Sequence, residues 1–288
     1  MANVPNTPKL AAMKYRVVGP LGNGAGSTIL QISDKTGGGK RYALKVVRRQ
    51  GPDDDIYVNQ AMVEFEVTQK LHHPAIVKIY DMRQKRSWFK LAGVELLMEY
   101  VDGKTLDEIE APEMGQLLLI FCQVASALNH MHRRGVFHGD QKPSNVMLSK
   151  SGKVKLIDFG TAGLRGEEKN RVQGTPQYIA PEQVTEKVMN EKTDIYNFGA
   201  TMYRMFTGRF ANAGIPKAGD GGVRKLVPPV QLVPKLPGAL SELILSCLET
   251  SPDKRPDGMF EVQGQLSSVA KYLGLEEVDL KGADDEEG

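Results

Sequence analysis

Asp140, Lys142 and Asn145 fall within one short stretch, HGDQKPSN, residues 138–145. A carboxylate that can take a proton, an ammonium that can neutralise phosphate oxygens and an amide oxygen that suits a hard cation are the residue types a phosphate and magnesium site uses. A second acid, Asp158, ends the apolar run of LIDFG 13 residues after Asn145. Lys45 sits in YALKVV among Ala43, Leu44, Val46 and Val47. A lysine so placed either snorkels to water or points inward at an anion. Glu64, on the next predicted helix, offers a carboxylate to hold it, whereas Glu66, two residues on, points to a different face. The segment Leu21, Gly22, Asn23, Gly24, Ala25, Gly26, Ser27 is rich enough in glycine for main-chain N–H groups to approach phosphate oxygens, or simply to make a tight hairpin. A strand rather than a helix is predicted after it, which excludes the usual dinucleotide-binding reading.

Positioning these groups requires a scaffold, and the hydrophobic pattern predicts one. YRVVGPL, TILQIS and RYALKVV alternate as strands, a helix is predicted around Ile56 to Leu71, and HPAIVKIYD and VELLMEYV complete a small, mostly antiparallel sheet. Beyond DGKTL the pattern turns helical: Leu117, Phe121, Val124, Leu128 and Met131 recur at spacings of three and four, with Gly135 as the stop. A hairpin turning at Ser151 and Gly152 follows, then helices near 193–207, 239–249 and 257–273. The expected fold class is α+β, in two lobes. Residues 14–100 form an antiparallel β-sheet lobe with one helix, residues 104–273 a larger, mainly helical lobe, and the cleft between them is the ligand site. Residues 1–13 are expected to be a flexible lead-in and 274–288 a solvated acidic tail.

A formal charge of +2, with 41% hydrophobic and 25% charged residues, gives no support for nucleic-acid binding or for membrane contact from this segment. The longest apolar run, Leu117–Cys122, is short against the ~18 residues of a membrane span. No signal-peptide pattern opens the chain. Cys122 and Cys247 read as buried thiols in a reducing compartment, and a cytoplasmic location is expected.

GNGAGSTI, YALK, Glu64, HPAIV, HGDQKPSN, DFG, GTPQYIAPE, KTDIYNFG and PDKRP occur in the order and at the spacings of the eukaryotic-like (Hanks-type) serine/threonine protein kinases, which the chain resembles over residues 14–273. The phrasing of HGDQKPSNVML is similar to that of bacterial members. The resemblance implies ATP, Mg2+ (with Mn2+ as a substitute) and protein substrates with Ser or Thr acceptors; it says nothing of oligomeric state. It assigns Lys45, held by Glu64, to the α- and β-phosphates, and Asp158 and Asn145 to the metal. Asp140 becomes the base toward the substrate hydroxyl, Lys142 the contact to the γ-phosphate, and Thr175 its neighbour facing the substrate. Residues 21–27 cover the phosphates, Ile29, Ala43 and Met147 enclose the adenine, and Met98, Glu99 and Val101 form the hinge, with Met98 at the back wall of the ATP cleft. Glu182 is implied to pair with Arg255, and Asp194 to brace the catalytic loop.

Three positions depart from the family pattern. Gly139 stands where the family usually has an arginine that binds a phosphate on the activation loop. The segment 158–182 offers only Thr161, Thr175 and Tyr178 as hydroxyl residues, none at the usual switch position. The expectation is a kinase that does not need activation-loop phosphorylation. Ser27 replaces a glycine of the phosphate loop, and Thr68 replaces an apolar residue expected to pack on Phe159. The alternative reading is a pseudokinase or nucleotide-binding scaffold, which the retained Lys45, Glu64, Asp140, Asn145 and Asp158 oppose. A small-molecule kinase of the same fold is opposed by the GTPQYIAPE segment.

Overall fold

A computed structural model describes residues 7–24, 26–36, 38–88, 90–110, 112–167, 171–187, 189–211 and 226–275. Ala25 of the glycine-rich segment and the acidic residues from 276 onward lie outside the described residues. The chain divides into two compact units. The first comprises Met1–His72, Ile76–Asp102 and Asp158–Gly160, the second His73–Ala75, Gly103–Ile157 and Thr161–Gly288.

In the first unit, β1 (Tyr15–Gly24), β2 (Ser27–Asp34), β3 (Arg41–Arg48), α1 (Asp55–Thr68), β4 (Ile79–Ser87) and β5 (Lys90–Glu99) follow in sequence. The strands form one antiparallel sheet in the order β1-β2-β3-β5-β4. Alternation along the strands sorts the side chains by face. Ile32, Tyr42, Leu44 and Leu97 bury on one side with Leu10. The register pairs Ile29 with Lys45, Ala43 with Met98 and Lys45 with Leu96, so these side chains share the other face.

Two expectations change in this unit. The lead-in is anchored at Leu10 rather than loose throughout: Leu10 is 1% exposed, and its N–H donates to Asp81 Oδ2 at 2.7 Å. The fourth strand starts at Ile79, not His73, and runs on to Ser87. Arg83–Ser87 therefore supply the second half of that strand, and Trp88 beyond it is 92% exposed and at φ 56. Thr68 is buried, yet its hydroxyl donates to the carbonyls of Glu64 (2.8 Å) and Phe65 (3.0 Å), so the polar substitution leaves no unsatisfied hydroxyl.

The second unit contains β6 (Gly103–Thr105), α2 (Met114–His132), β7 (Val136–Phe137), β8 (Val146–Ser149), β9 (Val154–Leu156), β10 (Gly163–Leu164), α3 (Pro181–Thr185), α4 (Glu191–Thr207), α5 (Pro229–Leu232), α6 (Gly238–Cys247) and α7 (Met259–Tyr272). The α2 helix is its central element. Leu118, Phe121, Val124, Leu128 and Met131 are completely buried, and Phe121 meets Phe198 of α4 edge-on at 5.5 Å. Over 18 residues α2 has a mean hydropathy of 1.2, enough by length and composition to cross a membrane; 56% of that window is buried inside the fold, the behaviour of a core helix. Gly135, at φ 68, ends the segment after α2. The side chain of Asn190 accepts from Thr193 N at the start of α4, and Gly208, at φ 70, closes that helix in the left-handed region. Both cysteines are free thiols; Cys247 is buried as expected, whereas Cys122 is only half-buried.

Candidate active site

In the first unit, Lys45 projects from the middle of β3 toward α1. Its Nζ lies 2.6 Å from Glu64 Oε2 and 3.6 Å from Asp158 Oδ1. Glu66 is exposed and takes no part. Burial works against the charged form of Lys45, but the Glu64 and Asp158 carboxylates outweigh it and hold the ammonium above its usual range. Burial pushes the fully buried Glu64 carboxyl up, with Asp158 adding to that, and the Lys45 ammonium opposes it. The pair is thus mutually dependent. Asp158 itself is at φ 65, a conformation that costs a non-glycine residue ~1 kcal/mol or more, and its carboxylate is half-exposed.

The glycine-rich turn joins β1 to β2. Gly26, at φ 68, is required by more than its backbone angle, since a Cβ there would stand 2.2 Å from the ring of Tyr57 on α1. Ser27 begins β2 without disturbing the pairing, opposite Gly24. Leu21, Gly22 and Asn23 complete β1; Ile29 and Ala43 lie on the Lys45 face, with Met98 beside Ala43. Glu99 ends β5, its N–H donating to Lys78 O at 2.8 Å, and Val101 follows two residues on.

The HGDQKPSN segment lies in the second unit between β7 and β8, and α4 fixes it from below. Asp194 is completely buried. Its Oδ2 accepts from His138 N (2.8 Å) and from His132 Nε2 (2.7 Å), and its Oδ1 accepts from Gly139 N (2.7 Å). His132 Nδ1 faces Glu191 Oε1 at 3.3 Å. Burial alone would lower the His132 pKa, but the Asp194 and Glu191 carboxylates raise it to about 9, so the imidazole carries its proton at neutral pH.

Above this base, Lys142 Nζ donates to Asp140 Oδ2 (2.7 Å) and to Thr175 Oγ1 (2.8 Å), tying the loop to the GTPQYIAPE segment. The other carboxylate oxygen, Asp140 Oδ1, is buried and has no hydrogen-bond partner among the described residues. Asn145 donates its Nδ2 to Asp140 O at 2.8 Å, which fixes the amide plane. Met147 lies in β8, paired with Lys155 and Thr105. Arg255 makes a two-pronged contact with Glu182, at 2.7 and 2.9 Å, and lies over the Tyr196 ring.

Lys45, Glu64 and Asp158 thus meet in one unit, and Asp140, Lys142, Asn145 and Thr175 in the other. Three contributors have no signal in the motifs: His132, Gln183 and Met189. Gln183 Nε2 donates to Gly139 O at 2.8 Å. Met189 covers the place where a side chain at Gly139 would begin, 2.3 Å from an ideal Cβ.

The chain belongs to the protein kinase family: the protein kinase domain matches residues 15–265. It is 30% identical over 89% of its length to a probable serine/threonine-protein kinase of Clostridium acetobutylicum. It is also 31% identical over 93% of its length to the probable serine/threonine-protein kinase PknB of Lactococcus lactis, and 31% identical over 79% to the serine/threonine-protein kinase PknB of Mycolicibacterium smegmatis. The matches cover 40%, 43% and 38% of those relatives, so the chain spans about two-fifths of their length. The expected α+β class, with an N-terminal antiparallel sheet and a mainly helical remainder, is what the structure has.

Proposed function

We propose that this chain is an active protein kinase that transfers the γ-phosphoryl group of ATP to serine or threonine hydroxyls of protein substrates. The observation that carries the reading is the Asp140 carboxylate. One of its oxygens is held by Lys142, which also binds Thr175; the other is buried and unpartnered. An unpaired buried carboxylate oxygen costs roughly 1–3 kcal/mol, a cost that a substrate hydroxyl donating to it would offset.

In the reaction, the acceptor hydroxyl oxygen forms a bond to the γ-phosphorus as the bond from that phosphorus to the β–γ bridging oxygen breaks. ADP leaves with the electron pair, and the hydroxyl proton passes to Asp140. Lys45, kept charged and aimed by Glu64, faces the α- and β-phosphates. Lys142 steadies the γ-phosphate, and Ile29, Ala43, Met98, Glu99, Val101 and Met147 serve the adenine. The resemblance assigns Mg2+, or Mn2+ in its place, to the Asp158 carboxylate of the first unit and the Asn145 amide oxygen of the second; each is a hard oxygen donor, and Asp158 is half-exposed. When bound, the metal neutralises phosphate charge.

Activation-loop phosphorylation is not required in this proposal. Thr161 donates its hydroxyl to His138 O (3.1 Å), Thr175 is engaged by Lys142, and Tyr178 is 8% exposed. Gly139 has no side chain with which to receive a phosphate. The free thiols, Cys247 with its pKa pushed by burial to about 12, support a reducing, cytoplasmic setting.

The test is phosphate transfer from ATP to a generic basic protein by wild-type chain and by Asp140→Asn, before and after exhaustive phosphatase treatment. Transfer that Asp140→Asn abolishes and phosphatase leaves intact supports the proposal. ATP binding without transfer would favour the scaffold reading.

A further inference from the structure

We infer that Gln183 is a positioning residue for phosphoryl transfer: its amide clamps the catalytic loop to the activation segment, replacing the tie that a phosphorylated loop and an arginine would make. The inference rests on the kinase reading above and names its regulation.

Gln183 is the third residue of the short helix α3 and is 3% exposed. Its Nε2 donates to two carbonyls, Gly139 O of the catalytic loop (2.8 Å) and Gln173 O of the activation segment (3.1 Å). Its Oε1 accepts from Ala180 N (2.9 Å) and from Asn197 Nδ2 (2.9 Å) of α4. Asn197 Nδ2 also donates to Tyr178 O (2.8 Å). An amide side chain has two donor hydrogens and two acceptor lone pairs, and all four are used here. Asn197 Oδ1 has no hydrogen-bond partner among the described residues, but the Gln183 amide itself is fully used, and a buried amide so held specifies one arrangement of the groups it joins.

The groups joined are the ones catalysis needs aligned. Gly139 precedes the base Asp140; Gln173 and Ala180 bracket Thr175, the hydroxyl that shares Lys142 with Asp140. Gly174 brings the two segments into direct approach, an ideal Cβ on it lying 3.3 Å from Gly139 O and 3.4 Å from Gln183 Nε2. Meanwhile Asp194 holds the N–H of Gly139 and Met189 covers its Cα. With Gln183 on the carbonyl, residue 139 is held on every side by neutral or permanently present groups. A phosphate has nothing left to contribute at this position.

Gln183→Glu keeps the shape and the acceptor side but replaces both N–H donors with an acid facing two carbonyls. Asn197→Ala removes the donor that orients the amide. In the full chain, with ATP and a generic basic protein as substrates, Gln183→Glu is expected to lower kcat about ten- to a hundredfold, the scale of small misplacements at a reacting centre. Its affinity for ATP should stay within about twofold, because nothing in the clamp is assigned to nucleotide. Lowering the pH should restore part of kcat, since a protonated carboxyl can again donate to Gly139 O. Asn197→Ala should show a smaller loss of the same kind. Hydrogen exchange reads the clamp independently of chemistry: segments 138–142 and 172–176 should lose protection together in both variants. Unchanged kcat in folded Gln183→Glu, or unchanged exchange of both segments, overturns the inference. If Gln183→Glu does not fold, Asn197→Ala decides by the same two readouts. A wild-type chain no more active than Asp140→Asn would sink the kinase reading instead, and the exchange result would still judge the clamp.

Discussion

Met189 lies over the open face of Gly139: an ideal Cβ on the glycine would stand 2.3 Å from Met189 Cε and 2.7 Å from its Sδ, at a φ of +74. Any side chain at 139 therefore meets two costs. The left-handed backbone costs ~1–2 kcal/mol for a residue with a Cβ, and the flexible end of the half-buried Met189 side chain must swing aside, a smaller cost. Gly139→Arg, which restores the usual family residue, is expected to destabilise the second unit by about 1–2 kcal/mol rather than create a phosphate switch. Urea unfolding of Gly139→Ala, Met189→Ala and the double variant checks the cause: Met189→Ala should recover the packing part of the loss and leave the backbone part. Additive losses would show that the contact is not the source.

His132 gives the fold a pH dependence with a definite sign. Its folded pKa of about 9 lies above the ordinary 6.5, so the folded state binds the proton more tightly than the unfolded chain. The resulting stability is fully present below about pH 6.5 and is lost as pH rises through about 9. Its size is of order 3 kcal/mol, from about 1.4 kcal/mol per pH unit. Because Asp194, its partner, also holds His138 N and Gly139 N, the loss is expected to reach activity as well as stability. Chemical denaturation between pH 6 and 9.5 should show wild type falling and His132→Asn flat over that window.

Much of this arrangement was legible locally. Alternation in RYALKVV placed Lys45 on a strand, the predicted helix after it offered Glu64 as its partner, the periodicity of α2 and the stop at Gly135 led into HGDQKPSN, and the resemblance implied the pairings of Asp194 and Arg255. What escaped depends on contacts distant in sequence. Leu10 is a single apolar residue in a Pro- and Asn-rich stretch, and only the sheet it covers reveals it as core. Ala75, Ile76 and Val77 are each 2% exposed without belonging to a strand, so a buried apolar run was read as the start of β4. β7 and β10 are two residues each, too short for a period. Gln183 and Met189 act on Gly139 from more than 40 residues away, and neither residue type announces such a role.

Lys45 and Glu64 should be unequal to mutation for a physical reason. Glu64 is completely buried, Lys45 has 15% of its side chain exposed, and their contact is 2.6 Å. Removing the lysine strands a buried carboxylate, a change that typically costs 3–5 kcal/mol, whereas replacing both partners with apolar residues of similar size is often close to neutral. Lys45→Met is therefore expected to abolish transfer and to lower the melting temperature, while Lys45→Met with Glu64→Leu abolishes transfer but regains most of the stability. Calorimetry on the two variants settles it. A double variant less stable than the single would mean that Glu64 is held by something other than Lys45.

Gln141 offers the converse test, a polar group whose removal should help. It sits between Asp140 and Lys142, is 0% exposed, and neither Nε2 nor Oε1 has a hydrogen-bond partner among the described residues. Its main chain is well held, the carbonyl accepting from Thr201 Oγ1 at 3.0 Å. Leaving a buried amide unpaired costs roughly 1–3 kcal/mol, and leucine has nearly the same volume with nothing to satisfy. Gln141→Leu is thus expected to raise stability by about 1–2 kcal/mol, which for a chain of this size is a rise of a few degrees in melting temperature. Activity should be retained, because the side chain points into the interior while Asp140 and Lys142 stay tied to Thr175. If instead the variant loses stability, the amide has a partner that pairs with it inside the protein, and transfer measurements on the same variant would show whether that partner matters to the loop.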